Sequence, residues 1–238
     1  MYLQNFSEKN KFTQYKMSTI KEVFREDIDT RNPIGYYISA VTGSGKTSLI
    51  RCLIDNLRHR FSVIAALVPL NNNNDFKIPG VIERMCQSKV QTEEVLLDAI
   101  NHQTEKIRKN EKLHPLLIII DDFSSLFPGR SAQNSEALIT ICTRGRHLNI
   151  SYIFSGQSFK MCPPIVRDNV SKMIFARNMA VELRDLKGKY DIDIQRVRIL
   201  NAQLAQLGLG SYIVLGDYLP SWRILIMRDP KYITQSNY

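Results

Sequence analysis

The 238-residue sequence predicts an α/β domain, with a mainly parallel sheet flanked by helices and, after it, a C-terminal helical segment and a β-hairpin. Three observations carry that expectation. Short apolar runs of strand type alternate with stretches of helical period, as in consecutive β-α-β units. Two runs, SVIAALV at 62–68 after its opening serine and LLIII at 116–120, are continuously apolar, as strands covered on both faces are. A glycine-rich turn separates the first strand-type run from the first amphipathic helix, and the N-terminus of a helix favours anions.

Taken in order, residues 1–32 form a polar arm of mixed charge, and the core is expected over 33–178. Pro33 opens an extended start to the strand Gly35–Ser39. From Thr47 onward, Leu49, Ile50, Leu53, Ile54 and Leu57 fall on one helical face, with Arg51, Asn56 and Arg58 opposite. After SVIAALV, the Asn71–Asn74 tract and the Pro79-Gly80 turn read as a loop. A helix is expected from Thr92, as its N-cap, to about Lys109, with Glu94 in the first turn. LLIII must be a central strand. A helix over 135–143, a strand over 150–155, a short helix after Pro163-Pro164 and a strand over 173–176 complete the alternation. Residues 179–238 are expected to pack on the core as a helical stretch over 181–207 and a hairpin, Ser211–Leu215 with Trp222–Met227.

Composition excludes several classes. With 44% apolar residues, 11 Gly and 9 Pro, the chain is neither disordered nor collagen-like. No apolar run approaches the roughly 18 residues of a bilayer span, and MYLQNFSEKNK lacks the apolar centre of a signal peptide, so a soluble intracellular or intravirion protein is expected. Cys52, Cys86, Cys142 and Cys162 form no CxxC pair and stand near no histidine at ligand spacing; they read as reduced thiols. The net charge of +9 is uneven: residues 144–231 hold 14 basic against 7 acidic side chains. A polyanionic partner is the functional reading of that excess, and a solvated basic face the plain one.

The chemistry begins at AVTGSGKT, 40–47, which fits the P-loop pattern GxxxxGK[ST] but for Ala40 at the first glycine. Gly43 and Gly45 allow a turn whose backbone N–H groups converge on phosphate oxygens. Thr42, Gly43, Ser44, Gly45, Lys46, Thr47 and Ser48 are the expected ATP-binding set. Lys46 reaches the β- and γ-phosphates in this reading, and the Thr47 hydroxyl binds Mg²⁺. Asp121, at the end of the LLIII strand, supplies the acidic half of a Mg²⁺ site. Asp122 follows directly, as the candidate general base that activates water for hydrolysis. A P-loop kinase for small acceptors does not need this doubled acid, although two acids capping a turn would also account for it; a nucleotide switch is a further alternative.

Gln157 follows the strand over 150–155 at the end where open α/β sheets bind ligands, placed to sense the γ-phosphate or orient water. Arg144 and Arg146 precede the same strand, at the opposite edge of the sheet. They are badly placed for their own nucleotide but able to serve a neighbour's as fingers in trans. A basic helix C-terminus complementing the dipole is the plainer explanation of these arginines.

AVTGSGKT, the IIIDD of 118–122, GRHLNISYIFSGQS of 145–158 and the Pro164-Ile-Val-Arg167-Asp-Asn169 segment together resemble the genome-packaging ATPases of large DNA viruses and virophages, within the FtsK–HerA superfamily. The resemblance spans about residues 34–178. It implies a RecA-like P-loop NTPase that pumps double-stranded DNA into a preformed capsid as a homo-oligomeric ring, pentameric or hexameric. It further implies Lys46, Thr47, Asp121 and Asp122 in ATP chemistry, Gln157 as sensor and Arg146 as the trans finger, with Arg144 in reserve. Capsid proteins are implied as further partners, and the host cytoplasm, viral factory or virion as the setting. A cellular HerA-like translocase is the alternative within the superfamily. Asp122 stands where cellular members carry Glu. Arg167 and Asn169 match the family's Arg-x-Asn pattern, with a subunit contact or a buried ion pair as the open roles of Arg167. Arg130, in the segment after the acidic pair, is a candidate phosphate contact in a pore.

Overall fold

The computed structural model describes residues 17–18, 24–30, 32–69, 78–128, 131–176, 202, 211–216 and 225–228. The strands are β1 (Met17–Ser18), β2 (Gly35–Ser39), β3 (Val63–Pro69), β4 (Ile82–Cys86), β5 (Leu116–Ile120), β6 (Ile150–Gly156), β7 (Lys172–Phe175), β8 (Ser211–Gly216) and β9 (Leu225–Arg228). The helices are α1 (Arg25–Asp29), α2 (Lys46–Leu57), α3 (Lys89–Arg108), α4 (Phe123–Leu126), α5 (Glu136–Arg144) and α6 (Pro164–Asn169). The nine strands among the described residues join one sheet in the order β1-β9-β8-β7-β2-β6-β5-β3-β4. From β7 through β4 every pairing is parallel; β8 pairs antiparallel with both β7 and β9.

Alternate residues of each central strand feed two apolar layers, the reason SVIAALV and LLIII have no polar period. On one face, Tyr36 and Ile38 of β2 and Leu117 and Ile119 of β5 pack with Leu49, Ile50, Leu53, Ile54 and Leu57 of α2. On the other, Tyr37, Ile118, Ile120 and Phe154 pack with Leu96 and Ile100 of α3 and Leu138 and Ile141 of α5. Burial on both faces of the sheet sets the strand register and so fixes which residues emerge at each edge.

Three elements depart from expectation or lie outside it. Residues 82–86 form β4, an edge strand beyond the Pro79-Gly80 turn for which the sequence gives no expectation; Ile82 and Met85 are exposed and Glu83 and Arg84 interrupt the apolar pattern, so no strand period exists to be seen. Helix α3 is capped by Ser88, whose hydroxyl accepts from Gln91 N, and not by Thr92. Thr92 is instead buried on the helix, its hydroxyl donating to the Ser88 carbonyl at 2.9 Å. The short α4 directly after Asp122 has too few residues to show a helical period. The expected hairpin is realised by β8 and β9, and the helix expected over 181–207 lies outside the described residues apart from helical Ala202.

Within the segment read as a polar arm, Phe24 is fully buried against Tyr36, with ring centroids 5.3 Å apart. Asp27 of α1 forms an ion pair with Lys172 at the start of β7. Lys172 is 4% exposed, and its ammonium stands 5.6 Å from the Phe24 ring centroid. Breaking a buried pair leaves an uncompensated charge. Lys172→Ala is expected to cost about 3 kcal/mol and lower Tm by about 10 °C. The double substitution Asp27→Asn/Lys172→Met is expected to recover most of that loss, as thermal unfolding of the two variants would establish.

Among the described residues no helix is long and apolar enough to cross a membrane. All four cysteines are free, and burial pushes the Cys142 thiol up to about 12, so it stays protonated and unreactive at neutral pH. Exposed basic side chains gather at the N-terminal ends of the parallel strands: Arg58 before β3, Lys109 and Lys112 before β5, and Arg144 and Arg146 before β6. Both halves of the chain therefore contribute to that edge.

Candidate nucleotide site

The turn from β2 into α2 is built as its sequence requires. Gly43 and Gly45 take φ of 78° and 87°, a region costly for side chains with Cβ. Ala40 is absent from the positive-φ residues and buried, which is why alanine serves at the first P-loop position; its N–H donates to the Gly156 carbonyl at 2.9 Å. Ser44 turns both of its donors inward, its N–H at 3.2 Å and its hydroxyl at 2.6 Å from the Val41 carbonyl, so it shapes the loop. Thr42 and Gly43 form the exposed tip, while Lys46, Thr47 and Ser48 open α2, whose first turn carries no acidic residue. The free N–H groups and dipole of that end favour an anion.

Strand order brings the second half of the site to this turn. Strand β6 lies between β2 and β5, with Ser39 opposite Gly156 and Ile120 opposite Phe154. Gln157 thus emerges, exposed, between the P-loop on one side and Asp121 and Asp122 on the other. Asp121 is 2% exposed; its Oδ1 accepts from the Ser155 hydroxyl at 2.5 Å and from Asp122 N at 3.1 Å. The other carboxylate oxygen has no hydrogen bond among the described residues. With the Thr47 hydroxyl it offers the hard oxygen donors that Mg²⁺ prefers.

Asp122 adopts a left-handed conformation, φ 52° and ψ 58°, uncommon for any residue but glycine, although aspartate tolerates it better than most. Its two carboxylate oxygens accept from Ser124 Oγ at 3.1 Å and Ser125 Oγ at 2.7 Å, and its N–H also lies 3.2 Å from Ser155 Oγ. Such backbone strain persists only where surrounding contacts over-determine it. The carboxylate is held in one orientation at the strand end and stays partly open to solvent.

The sequence model of the poxvirus A32 protein family matches residues 21–205, so both halves of the site lie inside the match. The chain belongs to the poxvirus A32 protein family. Among solved structures, the genome packaging NTPase B204 from Sulfolobus turreted icosahedral virus 2, in complex with AMPPCP, is 16% identical to this A32-family chain, with a TM-score of 0.60 over 84% of this chain and 99% of that one. B204, the DNA-packaging ATPase from Sulfolobus turreted icosahedral virus, is 19% identical, with a TM-score of 0.58 over 84% and 98%. The pCW3 conjugation coupling protein TcpA, with ATPγS, is 15% identical, with a TM-score of 0.53; the match covers 79% of this chain and 58% of TcpA. These likenesses establish the P-loop ATPase fold. No curated protein matches the sequence.

Other expected residues of this A32-family protein lie away from the cluster. Arg144 ends α5 and Arg146 follows Gly145, both exposed at the N-terminal end of β6. The seven residues of β6 separate them from Gln157 by about 20 Å. Gly145 has no room for a side chain, because a Cβ there would stand 2.9 Å from the Ile150 carbonyl. Arg146 and Asn169 line a common shallow cleft at this edge, with Tyr152 donating to the Asn169 carbonyl at 3.1 Å. Arg167 stands 5.6 Å from the Phe159 ring centroid and 3.8 Å from Asp168 Oδ1, whose side chain is 64% exposed. Arg130 lies outside the described residues.

Two tyrosines that support the site carry no motif. Tyr37, on β2, donates to the Ser158 carbonyl at 3.1 Å and so anchors the turn that bears Gln157. Tyr212, on β8, donates to the Gly45 carbonyl in the P-loop at 2.9 Å.

Proposed function

We propose that this protein is the ATP-hydrolysing motor that drives double-stranded DNA into a viral capsid, working as a homo-oligomeric ring of five or six subunits. The observation that carries this reading is the convergence of the P-loop, the acidic pair and Gln157 at the C-terminal ends of three adjacent parallel strands. Family membership and the fold shared with viral packaging ATPases support it.

Backbone N–H groups of the P-loop and the start of α2 hold the phosphates, and the Lys46 ammonium neutralises charge that grows on the γ-phosphate. Mg²⁺, held by Thr47 and Asp121, supplies electrostatic stabilisation of the phosphate oxygens when bound. Asp122 takes a proton from the attacking water, and Gln157 fixes that water or reads the γ-phosphate. Arg146, with Arg144 as second candidate, completes the charge stabilisation in the neighbouring subunit's site. The exposed basic edge is suited to phosphate contacts with DNA. The setting is the viral factory in the host cytoplasm or the virion, with capsid proteins as further partners.

The purified chain is expected to hydrolyse ATP faster when double-stranded DNA is added at low salt, with the stimulation declining as ionic strength rises. Lys46→Ala is expected to reduce turnover by at least about 10²-fold. A rate indifferent to DNA from low to physiological salt overturns the motor reading, and a Lys46→Ala variant of undiminished turnover removes the P-loop from the chemistry.

A further inference from the structure

We infer that Tyr212 is a positioning residue of the nucleotide site: its hydroxyl, brought across from the C-terminal hairpin, holds the P-loop backbone in the phosphate-accepting orientation. The inference rests on the nucleotide-binding reading above. Tyr212 is fully buried and belongs to the same apolar layer as Ala40, Leu49 and Ile50. Its hydroxyl lies 2.9 Å from the Gly45 carbonyl and 3.4 Å from the Ser44 carbonyl, 167 residues away along the chain in the nearer case. Its strand is tied to the core through β7, with Ile213 opposite Phe175 and Val214 opposite Ile174.

In a trans peptide the C=O and N–H point in opposite directions. A donor that holds the Gly45 carbonyl against the protein interior therefore turns the Lys46 N–H outward, where a phosphate sits. The same contact restrains the Ser44 carbonyl and, through it, the Gly45 N–H. Gly45, at φ 87°, lacks the Cβ that would otherwise limit rotation of these peptides, so external restraint matters most at this position. The Gly45 carbonyl also accepts from Leu49 N at 2.9 Å, which ties it to α2. Removing the tyrosine hydroxyl therefore leaves this acceptor with a partner, and the folded state loses little.

The discriminating variant is Tyr212→Phe in the full chain, with Tyr36→Phe as control, a buried tyrosine of the same layer whose hydroxyl makes no hydrogen bond to the P-loop among the described residues. Titration calorimetry with AMPPCP is expected to give a Kd about 5- to 10-fold higher for Tyr212→Phe and unchanged for Tyr36→Phe. KM for ATP is expected to rise by a similar factor with kcat within about twofold, because the N–H groups hold phosphate in ground state and transition state alike. The apo Tm of Tyr212→Phe is expected to stay within a few degrees of wild type. A Kd within twofold of wild type overturns the inference. So does a loss confined to kcat and Tm with KM unchanged, or an equal rise in Kd for Tyr36→Phe. A wild-type chain that binds no AMPPCP would instead refute the nucleotide-binding reading itself.

Discussion

Arg146→Ala is expected to lower ATP turnover by about 10³-fold or more, the effect of losing an arginine that neutralises transition-state charge, while leaving nucleotide affinity nearly unchanged. The geometry behind this is the length of β6, which sets Arg146 and its own subunit's Gln157 at opposite edges of the sheet. The defect is also expected to be complemented. A Lys46→Ala subunit has an inert nucleotide site but an intact Arg146, and an Arg146→Ala subunit has the reverse. Mixing two nearly inactive preparations should therefore restore part of the wild-type rate. A single-subunit role for Arg146 predicts no recovery, and wild-type turnover in Arg146→Ala would transfer the assignment to Arg144.

Asp122→Asn is expected to lower kcat by about 10²- to 10⁴-fold through loss of the general base, with the fold and the KM for ATP retained. Asparagine is chosen because it tolerates φ 52° as aspartate does and still has an oxygen to accept from Ser124 or Ser125. Asp122→Ala removes both features, so its thermal stability is expected to fall as well. Comparing melting temperatures and single-turnover rates of the two variants separates backbone strain from proton transfer. Equal single-turnover rates for wild type and Asp122→Asn would leave Asp122 with only its structural role at the start of α4.

Much of the fold and most of the candidate site are legible in the sequence because the signals are local. A P-loop declares itself in eight consecutive residues, and an acidic pair after five apolar ones marks the end of a buried strand. The strand-order consequence, that β6 separates the two, is legible only once the pairing is known. What escaped was either masked by exposure or non-local. Edge strand β4 buries little, so Ile82–Cys86 carries no period. Thr92 resembles a cap in sequence, yet Ser88 stands one residue before the helix begins and does the capping. Tyr37 and Tyr212 reach partners 121 and 167 residues distant, and a strand tyrosine that donates to a remote carbonyl looks in sequence like any other core residue.

The separation of the two edges also bears on symmetry. A two-fold pair sets residue i against j and j against i, so it would complete two sites reciprocally only if the arginine-bearing end and the nucleotide cleft of each protomer fell in one patch. The ring proposed above instead repeats one heterologous contact from copy to copy. Such a contact leaves an unmatched surface at each end until the circuit closes. A lone pair of subunits would then contain one competent site between them, and a closed circuit as many as it has members.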